Sequence, residues 1–351
     1  MHRKRRHTNT RETTMHAHAF QAFRSTTRRW RHALAGLLAT TTLCAASAAA
    51  AAYPDRSLQL ILSFPPGGAT DVLARELGLK LGAVLGQSVV VVNRPGAGGL
   101  IGMQSAARSE ADGYTLYISS VMSNSIYEAL NGKQQISLDG DFDAVDGIAS
   151  APHILVAPTQ LGVRDMAGLV QLLKASPDKY NYASMGAGTL SNLEAEIFKE
   201  QTGVQALQIP YKGSSQAIPE VINGSSAFMF DSVTSSLPHK DAGRIAILGV
   251  ASAKRLSVLP DVPTFKELGV QGLEAENLFA LMVPKGTPPD RIAALAQAMD
   301  KVQQDAAFRK AIGAQGFEIS EISGTALPQF ILDQQRFWKD KVRTLNINTG
   351  K

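Results

Sequence analysis

The sequence predicts an α/β protein of two lobes, each with a mostly parallel sheet flanked by helices. Three observations support this prediction. Apolar strand-like runs alternate with amphipathic helical stretches, a glycine-rich turn from a strand into a helix occurs once in each half, and 351 residues suffice for two domains. Strands that alternate with helices usually pair in parallel, so the alternation favours parallel sheets.

The first 52 residues have the composition of an export signal. Arg28, Arg29 and Arg31 precede an apolar stretch from Ala33 to Cys44, and small residues fill positions 45–52. This segment holds nine of the 35 basic residues and one of the 30 acidic residues, so the rest of the chain carries a net charge of −3. We therefore expect the segment to be removed and the protein to be periplasmic, with neither nucleic acid nor a membrane surface as its partner.

The first lobe is expected to begin with a strand that starts at Leu58 and runs into a turn of two prolines and two glycines. Leucines at helical spacing follow Asp71 and predict a helix that ends near Gly86. The alternation then continues with a strand at Val89–Val92, a helix at Leu100–Arg108 and a strand at Tyr114–Ser119.

A second block of the same kind begins near Pro152. Its predicted strands are Ile154–Ala157, Tyr180–Ala183, Gln205–Ile209, Ala227–Phe230 and Ile245–Val250. A short helix is expected after Thr264, and a strand at Leu278–Val283 with two long helices should then return the chain to the first lobe. Lobe 1 is thus predicted to comprise 53–153 plus 276–351, and lobe 2 to comprise 154–275, with a two-strand hinge suited to closure around a ligand.

The glycine-rich turns are the predicted ligand site. Each one stands before the first turn of a helix, where free backbone N–H groups and the helix dipole favour a small anion. Closure of the lobes would bring both turns against one carboxylate-bearing molecule. The residues are Gly67, Gly68, Ala69 and Thr70 in the first turn and Gly186, Ala187, Gly188 and Thr189 in the second.

Three polar residues that follow apolar strands extend the candidate site. Ser120 and Ser123 could donate hydrogen bonds to the ligand from the first lobe, or they could cap the next helix. Asp231 could accept a hydrogen bond from an amine or hydroxyl of the ligand, and its alternative role is also that of a helix N-cap. The residues alone leave both alternatives open.

The residues after the export signal offer little chemistry for catalysis. Cysteine occurs only at Cys44, and the two histidines, His153 and His239, lie in no metal-ligand spacing. A dinucleotide-binding motif fails because Ile101 stands where its third glycine is required. We expect no catalytic residue, no metal and no cofactor.

Several short motifs together resemble one family, the periplasmic solute receptors of tripartite tricarboxylate transporters, often called Bug-type receptors. No single motif is specific, but they keep the family's order from Tyr53 almost to the C-terminus. They are F-P-P-G-G at Phe64–Gly68, N-R-P-G-A-G-G at Asn93–Gly99, D-G-Y-T-L at Asp112–Leu116, N-Y-A-S at Asn181–Ser184, G-x-G-T at Gly186–Thr189, P-Y-K-G at Pro210–Gly213, F-D at Phe230–Asp231 and L-P-D-V-P-T at Leu259–Thr264.

This resemblance implies a two-lobed periplasmic binding protein of type II-like topology, without catalytic activity, that delivers a small carboxylate to a membrane permease. It also implies that the two turns hold the ligand's carboxylates and that Asp231 borders the pocket. We expect the receptor to be a monomer. A carboxylate sensor that acts on a signalling partner is the alternative, and an exported enzyme that uses Asp71 or Asp231 as a base is a further one.

The chain departs from the family pattern where the ligand is chosen. Leu190 follows Thr189 where the family usually has serine, and Met122 and Tyr127 occupy a segment that usually carries histidine and Asn-Pro. These three residues predict a more apolar pocket, suited to an aromatic or longer-chain acid. They could equally fill core positions.

Overall fold

The computed structural model describes residues 53–132, 136–273 and 277–344. The predicted export signal lies outside these residues. The strands are β1 Leu58–Leu62, β2 Val89–Asn93, β3 Thr115–Ser120, β4 Phe142–Ala151, β5 His153–Pro158, β6 Asn181–Ser184, β7 Leu207–Pro210, β8 Phe228–Ser232, β9 Ile245–Val250, β10 Asn277–Pro284 and β11 Glu318–Ile319.

Helices lie between these strands and form the C-terminal end. They are α1 Ala69–Leu85, α2 Leu100–Ala107, α3 Val121–Asn131, α4 Leu138–Asp141, α5 Met166–Ala175, α6 Leu190–Thr202, α7 Ser214–Ile222, α8 Val233–Asp241, α9 Pro289–Gln304, α10 Ala306–Gly313 and α11 Ala326–Thr344. The helix expected after Thr264 is absent from the described residues, which form a series of turns there. No helix in the described part of the chain has the length and apolar character to cross a membrane.

The strands form two sheets, and both sheets are mixed. The first has the order β11-β4-β10-β3-β1-β2 and the second the order β7-β6-β8-β5-β9. Only the β1–β2 and β1–β3 pairs of the first sheet and the β6–β7 and β6–β8 pairs of the second are parallel. The two-lobed α/β class is confirmed, whereas the mostly parallel pairing is wrong because the strands beside the lobe crossings (β4, β5 and β10) run antiparallel to their neighbours.

The chain passes between the sheets twice. Strand β4 ends at Ala151 and β5 begins at His153, so Pro152 alone separates a strand of the first sheet from a strand of the second. The return passage lies between β9 and β10. The residue limits of the lobes stay a prediction, and the expected limit at 275–276 falls outside the described residues.

Strand β4 is the longest strand, and its sequence does not look like one. Asp143, Asp146 and Gly147 interrupt its apolar residues. The Asp146 carboxylate accepts hydrogen bonds from the backbone N–H groups of Gly147 at 3.0 Å and Gly324 at 3.1 Å. The second of these donors lies on a loop that is distant in the sequence. Eight residues of β4 pair with β10, and this pairing holds the segment in a strand that its local sequence does not predict.

Candidate functional site

A small cavity lies between the two sheets. Its internal volume is about 30 Å³. The lining residues come from both sheets and from the strands beside the crossings: Phe64, Pro65, Gly68, Ala69, Thr70, Ser120, Ser123, Ala151, His153, Met185, Thr189, Ser214, Ser232, Asn277 and Phe279.

Four helices begin at the wall of this cavity, and none of them is capped by the side chain of its own N-cap residue. The residues just before helices α1, α3 and α6 are Gly68, Ser120 and Thr189, and Ser214 is the first residue of α7. None of the four N-cap residues makes a side-chain hydrogen bond to its helix. Their first-turn N–H groups and dipoles therefore give the cavity a positive potential although no lysine or arginine lines it.

The first predicted turn divides into lining and supporting residues. Gly68, Ala69 and Thr70 line the cavity, whereas Gly67 does not. Gly67 adopts a φ of +86°, which favours glycine, and its N–H donates to Asp71 Oδ2 at 3.0 Å. Gly67 therefore stabilises the turn from a position outside the cavity wall.

Asp71 holds this turn in place. Its Oδ1 accepts hydrogen bonds from Asn93 Nδ2 and from the Arg75 guanidinium, each at 2.9 Å, and its Oδ2 accepts from Gly67 N–H and Arg75 Nε. Burial alone would raise the pKa of this carboxyl, but the hydrogen bonds from Arg75, Asn93 and Gly67 lower it below the ordinary value. Both oxygens of the Asp71 carboxylate therefore accept hydrogen bonds, and these bonds hold the turn in its conformation.

The second predicted turn reaches the cavity only at its end. Thr189 lines the cavity, and its hydroxyl donates to the Gly186 carbonyl at 2.8 Å. Gly186, Ala187 and Gly188 are not among the lining residues. They pack against the first lobe instead: a methyl group on Gly98 would lie 2.8 Å from the Ala187 carbonyl oxygen.

Ser120 and Ser123 both line the cavity, and each already has a hydrogen-bond partner. The Ser120 hydroxyl donates to Asn277 Oδ1 at 2.9 Å. Ser123 Oγ accepts from the Leu190 N–H at 3.3 Å, which joins helix α3 of the first lobe to the start of helix α6 in the second. Neither serine caps its own helix through its side chain.

Asp231 lies behind the cavity and is fully buried. Its Oδ2 accepts a hydrogen bond from the Ser236 hydroxyl at 2.6 Å, and the N-cap of helix α8 is Ser232. Burial raises the pKa of Asp231, while Ser214, Ser236, the backbone at Ser232 and His153 oppose that shift. The structure therefore gives Asp231 neither of the two positions expected from the sequence.

Sequence reasoning missed His153, Asn277 and Ser214 as lining residues. His153 stands at the predicted limit of the first lobe, and it begins strand β5 with its side chain 5% exposed. Its Nδ1 lies 2.6 Å from Glu194 Oε2. Two sequence signals could have pointed to these positions. The crossings between the lobes lie beside His153 and Asn277, and the P-Y-K-G motif ends just before Ser214.

The apolar part of the cavity differs from the expected one. Leu190 packs in a core cluster with Met122 and Leu193, so it joins the lobes away from the cavity. Met122 and Tyr127 are likewise not lining residues, and the prediction of an apolar pocket from these three residues is wrong. Phe64, Met185 and Phe279 supply the apolar surface instead.

Within the described residues, no group of three histidine, cysteine, aspartate or glutamate side chains could hold a metal ion. The fold and the cavity define a class: a two-lobed α/β protein with a cavity between its lobes. The family model for the tripartite tricarboxylate transporter family receptor matches residues 73–347, and the chain belongs to this family.

Known relatives agree with this assignment. Protein BugT of Bordetella pertussis is 35% identical over 321 residues, which cover 89% of this chain and 96% of BugT. The structure of the periplasmic binding protein BugD has a TM-score of 0.80 at 28% identity and covers 84% of this chain and 99% of BugD.

Two similar structures contain dicarboxylates. The R. palustris protein Rpa4515 with adipate has a TM-score of 0.80 at 29% identity, with coverage of 84% of this chain and 99% of that protein. MatC from Rhodopseudomonas palustris with bound malate has a TM-score of 0.78 at 26% identity, with coverage of 83% and 100%.

Proposed function

We propose that this protein is a periplasmic receptor that captures a small carboxylate between its lobes and delivers it to a permease of the tripartite tricarboxylate type. Four helix N-termini at one cavity carry the proposal, and none of them is capped by the side chain of its own N-cap residue. Backbone N–H groups bind a carboxylate without ordering long side chains, and each helix end adds about 0.3–1 kcal/mol.

The site residues belong to this proposal. Gly68, Ala69, Thr70, Ser120, Ser123 and Thr189 would contact the ligand, whereas Gly67, Gly186, Ala187 and Gly188 would position the turns. Adipate and malate in the related structures support a dicarboxylate ligand.

Thermal-shift measurements with malate, succinate, glutarate, adipate, glutamate and benzoate test the ligand class. A ligand at 100 times its dissociation constant stabilises the fold by about 2.7 kcal/mol, so binding produces a clear rise in Tm. Calorimetry should then give one site per chain, and NMR should recover the acid chemically unchanged. If no acid raises the Tm, the carboxylate proposal is wrong; conversion of the acid would identify an enzyme.

The substitution Ala69→Pro tests the backbone clamp. Proline is well tolerated at the first position of a helix, and Gly68 before it has an extended backbone with φ −87° and ψ 171°. The change removes one cavity-facing N–H, so we expect stability to be kept and affinity to fall by about tenfold or more. Ala306→Pro is the matched control, because Ala306 is the exposed first residue of α10 far from the lining residues.

A further inference from the structure

The cavity contains one titratable side chain. Of the lining residues that the structure describes, only His153 can gain or lose a proton near neutral pH. It begins strand β5 directly after the crossing from the first sheet, and its register partner is Ser232 of β8, which also lines the cavity. A charge on this imidazole would stand at the wall of the ligand cavity.

Glu194 holds the His153 ring in one orientation. Its Oε2 lies 2.6 Å from His153 Nδ1, and its side chain is 1% exposed. An ionised carboxylate only accepts hydrogen bonds, so the proton of this contact belongs to Nδ1. Nε2 is left as the ring nitrogen that Glu194 does not use.

Two carboxyl groups act on the charge of His153. Burial alone would lower the pKa of His153, but Glu194 of α6, and more weakly Asp231 of β8, raise it above the ordinary value. Burial raises the pKa of Glu194 as well, and His153 opposes that shift. Glu194 Oε1 has no hydrogen-bond partner among the described residues. The contact with His153 is therefore the main interaction that stabilises the buried charge of Glu194.

We propose that His153 donates a hydrogen bond through Nε2 to a carboxylate of the bound ligand, and that Glu194 is the positioning residue that fixes the ring and favours its protonated form. The inference rests on the carboxylate receptor proposed above. His153 would add one side-chain charge to a site that otherwise consists of helix N-termini. This charge would favour an ionised acid over its amide or ester.

The proposal makes ligand affinity depend on pH. Above about pH 6 simple carboxylic acids are ionised, so the ligand itself does not titrate. The affinity should fall as the pH rises through the pKa of His153, with a limiting slope of about tenfold per pH unit for one linked proton. Calorimetry of the full chain with malate, adipate and glutarate between about pH 6 and pH 9 measures this slope.

The substitution Glu194→Gln changes the charge but keeps an oxygen that can accept from Nδ1. Because the carboxylate no longer favours the imidazolium, the fall in affinity should begin at a lower pH than in the wild type. At neutral pH we expect about tenfold weaker binding, because a neutral ring with its proton on Nδ1 cannot donate through Nε2. The double variant His153→Gln with Glu194→Gln removes both charges of this pair, and its affinity should not vary with pH.

Glu196→Gln is the matched control. Glu196 lies two residues further along helix α6, and its carboxylate binds Tyr182 and Lys199 instead of a cavity residue. This variant should keep the wild-type pH profile. A wild-type affinity that is constant with pH, or a Glu194→Gln profile identical to the wild type, overturns the role of His153 while the receptor proposal stands. Failure of every acid to bind overturns both.

Discussion

A single carboxylate outside the cavity determines the shape of the first glycine-rich turn. Asp71 is 3% exposed and binds the Gly67 N–H, the Asn93 amide and the Arg75 guanidinium at once. It stands in the first turn of helix α1, where a negative charge is also favoured by the helix dipole. The position of the N–H groups at Ala69 and Thr70 therefore depends on Asp71.

The substitution Asp71→Asn should lower the free energy of unfolding by about 2 kcal/mol at neutral pH, since hydrogen bonds to a charged group contribute about 1.5–3 kcal/mol. The folded-state pKa of Asp71 is lowered, so its stabilisation is present above the ordinary pKa near 3.8 and is lost as the pH falls through the folded value. Urea unfolding at several pH values measures both effects. A stability difference that persists undiminished in acid would contradict the assignment to charge.

At the scale of elements, close packing of helix α2 on strand β1 depends on the absence of a side chain. A methyl group at Gly102 would lie 2.6 Å from Ser63 Oγ, 2.7 Å from Ser63 Cα and 3.0 Å from the Arg94 carbonyl oxygen. Backbone atoms cannot move aside as a flexible side chain can. The approach of α2 therefore requires glycine at this position.

We expect Gly102→Ala to lower the free energy of unfolding by about 1–3 kcal/mol through overpacking. Gly313→Ala in helix α10 is the control, because no heavy atom lies within 4 Å of its added methyl group. Alanine at position 313 gives the unfolded chain less conformational freedom to lose on folding. The free energy of unfolding should therefore stay equal or rise by up to about 1 kcal/mol. Equal losses for both variants, measured by urea unfolding, would contradict the packing argument.

Local sequence predicts the elements whose signals are local. The Pro-Pro-Gly-Gly turn and the Thr70–Asp71 helix start are contiguous, and the structure forms them as expected. Strand β4 was missed because its hydrogen-bond partners, β10 and the loop at Gly324, are more than a hundred residues away. His153 and Glu194 are likewise separated by 41 residues, so their contact follows only from the fold.

For the whole molecule, the contacts between the lobes describe a closed form. Thr234 Oγ1 donates to the Gln315 carbonyl at 2.8 Å, and the Leu190 N–H of the second lobe donates to Ser123 Oγ of the first at 3.3 Å. The loop at Gly98 meets the second glycine-rich turn at Ala187. Residues of that turn thus support closure, which explains why most of them are absent from the cavity wall.

The substitution Gly98→Ala should weaken ligand binding by about tenfold, because a clash of about 1–3 kcal/mol with Ala187 arises only when the lobes are closed. Gly86→Ala is the control: both glycines have positive φ, +63° and +70°, but nothing lies within 4 Å of a methyl group on Gly86. Both variants should lose about 1–2 kcal/mol of stability from backbone strain. Calorimetry with the best ligand should separate them, and equal affinities would exclude the loop contact as a closure element.

The four helix ends at the cavity also have a consequence for the empty protein. Helices α1 and α3 approach from one lobe and α6 and α7 from the other, all with the same sign of partial charge. Without an anion these ends repel across the cleft, so the carboxylate ligand of the proposed function would act as the counter-charge that permits the lobes to meet. We expect X-ray scattering to show a larger radius of gyration for the empty protein at low salt than at high salt, and ligand to remove this salt dependence.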